Sequence, residues 1–144
     1  MSIGDRLKRH AYTTRFPLYE TNYDVIVKVY TTREQFDRRI RYENNLYQIP
    51  DGNCIQALFQ LYRETHTFRS TDRIALGEVR LVLGEYGSGM VTHEMLHAVL
   101  CWASSEALDI GDYDVQEDLC KKIEHLVIDF WNWHFDCIEG EEEE

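Results

Sequence analysis

Three residues in the segment GSGMVTHEMLHAVLCWA have the types and spacing of a reaction site: His93, Glu94 and His97. On a helix, residues four apart stand one above the other, so His93 and His97 can each aim an imidazole at one metal ion. Neutral imidazole suits zinc, with Zn–N distances of about 2.0–2.1 Å. Glu94 is one residue on, about 100° around the helix. That position makes it a poor third ligand to the same ion but a good acceptor for a proton from a water held there. Two ligands and one general base are the physical content of the HExxH pattern. A chain with 6 histidines in 144 residues produces this pattern by chance roughly 0.02–0.03 times. It is therefore read as a site, against the plainer reading of an amphipathic helix with two surface histidines.

A reactive zinc needs a third protein ligand and one open position. Downstream of His97 the candidates are Asp112, Asp114, Glu117, Glu124 and His125. HExxH followed, after nineteen intervening residues, by a glutamate on another helix resembles the gluzincin clan of zinc metallopeptidases. Size and element order are more similar to the compact ImmA/IrrE-like metallopeptidases of phages and mobile elements than to thermolysin-type enzymes. The second domain of the thermolysin type has no room in this chain. The resemblance covers about residues 76 to 130 and rests on four residues. It implies a zinc centre held by His93, His97 and Glu117, with Glu94 as general base, acting on an intracellular protein or peptide; some such enzymes cleave a transcriptional repressor. Glu124, if not a ligand, reads either as an acceptor orienting a zinc-bound histidine or as a solvated surface carboxylate. Tyr86, Tyr113 and His134 are candidate donors to the oxyanion.

The surrounding elements must place these residues. YDVIVKVY (23–30) is β-branched and aromatic and reads as a strand. Thr31 or Thr32 can cap a helix through TTREQFDRRIRYENN, with Phe36 and Ile40 on one face. QIPDGN (48–53) is a turn. CIQALFQLYRE (54–64) is taken as a strand, with THTFRSTDR as the loop to the next strand, IALGEVRLVLG. In that strand Glu78 and Arg80 alternate with Val79 and Leu81, the pattern of a half-buried surface. By analogy with zincins, its EVRLVLG portion is expected to form the sheet edge on which an extended peptide pairs. Ser88 is the expected N-cap of a helix from about Met90 to about Leu108, with Leu96, Val99, Leu100 and Ala103 turned away from the histidines. Asp114 is the expected cap of the longest helix, from about Val115 to about Phe135, striped by Leu119, Ile123, Leu126, Val127 and Phe130. Trp131 and Phe135 in DFWNWHFDC are expected in the core. The predicted class is α+β: a small zincin-like domain with a short mixed or antiparallel sheet packed on the HExxH helix and a glutamate-bearing helix.

Composition bounds the rest. The chain is 44% hydrophobic and 28% charged, with no long apolar run and no apolar segment behind its basic start. A single domain over residues 1–137, an acidic disordered tail over 138–144 and a cytoplasmic location are expected, with no membrane span. Cys54, Cys101, Cys120 and Cys137 form no CxxC pair and read as free thiols. The net charge of −11 is unevenly spread. Residues 1–41 hold nine Lys/Arg against five Asp/Glu, and residues 93–144 hold two against fifteen. The acidic half should repel phosphates, so no nucleic-acid partner is expected. VLGEYGSG lacks the lysine of a phosphate loop. Two further functions stay open on the sequence: a catalytically silent zincin-like module that sequesters a protein, and a zinc hydrolase of non-peptide amides.

Overall fold

A computed structural model describes residues 11–47, 57–67 and 73–140. It contains strands β1 (Ala11–Pro17), β2 (Tyr23–Tyr30), β3 (Leu58–Thr67) and β4 (Ile74–Val82). Its helices are α1 (Arg33–Tyr47), α2 (Ser88–Ser105) and α3 (Tyr113–Trp133), and α3 runs on into a π-helical turn, His134–Glu139. The strands form one mixed sheet in the order β1-β2-β4-β3. The outer pairs are antiparallel and the central β2–β4 pair is parallel, with Val27 opposite Val79 and Val29 opposite Leu81. The class is α+β. The turn at 48–53, Cys54 and the predicted strand start at 54–56 lie outside the described residues, as do 68–72 of the loop.

The two faces of the sheet are covered separately. On one, Val25, Val27, Val29, Val79 and Leu81 meet Val91, Met95, Ala98 and Val99 of α2 and Leu119, Leu126 and Phe130 of α3. On the other, Phe36 and Ile40 of α1 close over Tyr30 and Val82. Phe36 and Ile40 are fully buried, as their spacing predicts, and Thr32 Oγ1 accepts from the Gln35 amide at the helix start. The hairpin β3–β4 needs Gly77: a Cβ there would meet the Gln60 carbonyl oxygen at 2.5 Å and the Phe59 ring at 2.6 Å.

The structure corrects several expectations. β1 was not foreseen; it has few apolar residues, and its order comes from pairing along β2. β4 is central, so neither of its edges is open to a peptide; β1 and β3 are the edges. Glu78 and Arg80 are buried and not half-solvated. They compensate each other, with Lys28 Nζ 3.5 Å from Glu78. Gly87, not Ser88, takes the extended N-cap position of α2. Asp112, not Asp114, caps α3, its Oδ1 accepting from the amides of Asp114 and Val115. α2 stops at Ser105 because Ala107 turns left-handed at φ 55°, while the Ala107 and Leu108 amides bond back to Ser104 and Ala103. The chain stays helical past 137, and Ile138 is fully buried. Residues 141–144 lie outside the described residues. No described helix is long and apolar enough to cross a membrane.

Candidate functional site

The core side of α2 is set by Val91, Met95, Ala98 and Val99, all fully buried. His93 and His97 lie two residues before and after Met95, about 200° around the helix from it, and so face solvent. Both are exposed, the His93 side chain at 66%. Their rings cross at 76° and their Nε2 atoms come within 3.2 Å. One ring nitrogen then donates to the other. The same convergence fits a shared ion: two bonds of about 2.0–2.1 Å at a tetrahedral angle put the nitrogens about 3.3–3.4 Å apart.

Glu94 is different in kind. It is only 6% exposed, yet its Oε1 lies 3.9 Å from His93 Nε2. Burial pushes its carboxyl above the ordinary carboxylate range, and the nearby His93 and His97 oppose that rise. A carboxylate shifted up toward neutrality is better matched to taking and returning a proton than a solvated one.

Leu96 and Leu100 do not face the core as expected. They are 39% and 41% exposed and flank the histidines on the outer surface of α2. Turning the helix to bury them would expose Met95 and Ala98. Glu117 is exposed in the second turn of α3, as is Glu124 farther along. Asp112 is used as the cap of α3, and Asp114 sits exposed in its first turn. His125 stacks on Tyr19 with ring centroids 4.1 Å apart. Among the described residues, no three His, Cys, Asp or Glu side chains are grouped to hold a metal. The structure therefore brings His93, His97 and Glu94 together and leaves Glu117 apart from them.

The candidate oxyanion donors are also accounted for. Tyr86 Oη lies 2.7 Å from His134 Nδ1, and His134 Nε2 lies 2.9 Å from Glu139. With the proton on Nε2, the phenol donates to Nδ1 and Nε2–H donates to the carboxylate. This chain ties the segment before α2 to the π-helical turn. Glu139 read from the sequence as tail; only the fold reveals its partner. Tyr113 is 70% exposed. Trp131 is half-buried against Tyr86 and Phe130, whereas Phe135, expected in the core, is 54% exposed. A cavity of about 350 Å³ lined by Tyr30, Gln35, Arg38, Arg39 and Tyr42 lies at α1, away from the histidines. Cys101, Cys120 and Cys137 are free thiols.

No protein-family model matches the chain, and no curated protein or solved structure matches it.

Proposed function

We propose that this chain is a zinc-dependent peptidase of the compact gluzincin type. It would hydrolyse a peptide bond in a cytoplasmic protein, a compartment consistent with its free thiols. The observation that carries the reading is the 3.2 Å convergence of the two Nε2 atoms beside a buried Glu94 carboxylate. A helix needing only two surface histidines gains nothing from burying a carboxylate next to them, and burial costs it hydration. His93 and His97 would hold the ion, and Glu117 of α3, which stands apart from them, would have to move in to complete the ligand set. A zinc held there would supply Lewis acidity to a water and to the scissile carbonyl. Glu94 accepts the proton of the attacking water and returns it to the leaving amine nitrogen. The sheet supports this by holding α2 rigidly through Met95 and Val99.

One observation favours a second reading, a silent zincin-like module that binds a protein: Glu117 is not grouped with the histidines. The two readings separate by experiment. Metal content is measured by mass spectrometry on untagged protein, and hydrolysis on a peptide mixture. The peptidase gives about one zinc per chain, lost in His97→Ala. Glu94→Gln keeps the zinc and loses about 10²–10⁴-fold in rate. Glu117→Ala weakens zinc binding. Normal cleavage by Glu94→Gln would overturn the mechanism, and zinc binding without cleavage would leave the silent module.

A further inference from the structure

The site sits in a region with an unusual charge distribution. From Leu81 to Cys120 the chain contains no lysine or arginine, and it carries Glu85, Glu94, Glu106, Asp109, Asp112, Asp114, Glu117 and Asp118. α2 itself has one charged residue apart from its histidines, the buried Glu94. Its outer surface is thus Leu96 and Leu100 around His93 and His97. Glu106, Asp109, Asp112 and Asp114 are all exposed and lie together where α2 ends and α3 begins.

We infer that this surface selects an extended cationic polypeptide: an apolar residue seated on Leu96 and Leu100, with lysine or arginine following toward the acidic end of α2. The inference rests on the peptidase reading for the position of the scissile bond, and on charge complementarity for the rest. Eight residues separate His97 from Ser105, about 12 Å along the helix. An extended peptide advances about 3.3–3.6 Å per residue, so the basic residues belong about four positions from the bond cleaved. That distance is close to the Debye length of about 8–10 Å, so the acidic end acts on a bound peptide and weakly on a distant one. The nearby cation Lys122 is buried and taken up by Asp118, so the exposed Glu106, Asp109, Asp112 and Asp114 keep the end of α2 negative.

The test uses the full chain carrying Glu94→Gln, loaded with zinc, and three fluorescein-labelled peptides. One has leucine followed by lysines, one has glutamates in place of the lysines, and one has glutamines. Binding is read by anisotropy at about 50 mM and about 200 mM salt. The lysine peptide should bind at least about tenfold more tightly than the glutamate peptide at low salt, and high salt should narrow that gap. Glu106→Lys with Asp114→Lys should abolish the preference. Glu106→Gln with Asp114→Asn, a milder pair that keeps α3 intact, should reduce it. Leu100→Ser should weaken all three peptides alike. Equal binding of the lysine and glutamate peptides, or a preference untouched by the charge reversals in a folded protein, would overturn the inference. Zinc is assayed on the same samples. Selective binding without zinc would sustain this surface while removing the peptidase reading. Zinc without selectivity would do the reverse.

Discussion

α2 and α3 pack on the same face of the sheet but meet solvent in opposite ways. α3 follows the pattern of a helix selected for folding. It has a side-chain cap at Asp112, buried Leu119, Leu126 and Phe130 inside, and exposed Glu117, Lys121 and Glu124 outside. α2 has no side-chain cap, no charge on its exposed surface, two outward leucines and two converging imidazoles. Its buried side carries a carboxylate where α3 has apolar residues and Lys122. α3 also exposes Ile128 and Tyr113, but among charged neighbours, whereas the outward leucines of α2 have none on their own helix, and it is there that the proposed function would draw on stability. Here the difference lies in the outward face; both inward faces are well packed.

The largest effect expected from this comparison is on stability in α3. Phe130 is fully buried among Tyr86, Trp131 and Trp133, so Phe130→Ala should cost about 3–5 kcal/mol by denaturant melts. A loss under about 1 kcal/mol would mean α3 is not the packed helix described. Next comes the buried Lys122, which lies 4.8 Å over the Trp102 ring and is held by both Asp118 oxygens. Asp118→Ala should destabilise by about 1–2 kcal/mol, reduced from a fully buried pair because Asp118 is a third exposed. Adding Lys122→Met should recover most of it.

On α2 the expected stability effects are small and the functional ones large. His97→Ala and Leu100→Ser should each shift stability by less than about 0.5 kcal/mol while removing zinc and weakening peptides respectively. A cost well above that would make the outward face structural and erase the contrast. The smallest effect is at Asp129. Its carboxyl is pushed above the ordinary 3.8 by burial, with His125 partly opposing. The native state then holds the proton more tightly than the unfolded chain. The stabilisation is complete below the unfolded value and is lost as pH rises through the raised one. Asp129→Asn should therefore raise Tm slightly at neutral pH and leave it unchanged near pH 3, a contrast read by thermal melts at the two pH values.

Local pattern made α1, β2, β4, α2 and α3 legible, because each carries its own period of apolar residues. His93, Glu94 and His97 were legible for the same reason: four residues of helix suffice to converge two rings. β1 and the central place of β4 were not, since strand order is decided by pairing between segments distant in the chain. The burial of Glu78 and Arg80 depends on segments distant in the chain, with Lys28 of β2 beside Glu78, and no window around residues 78–80 contains that fact. The Tyr86–His134–Glu139 chain joins residues 48 positions apart and hides in what reads as an aromatic helix end and an acidic tail.

The sequence alone thus determined which residues share a helix face and that His93 and His97 converge, because those depend on backbone geometry within one or two turns. Tertiary structure decided which way each face points. It turned Leu96 and Leu100 outward, buried Glu94 beside the histidines, and left Glu117 apart from them, since only the competition among all apolar surfaces for one core fixes the rotation of α2.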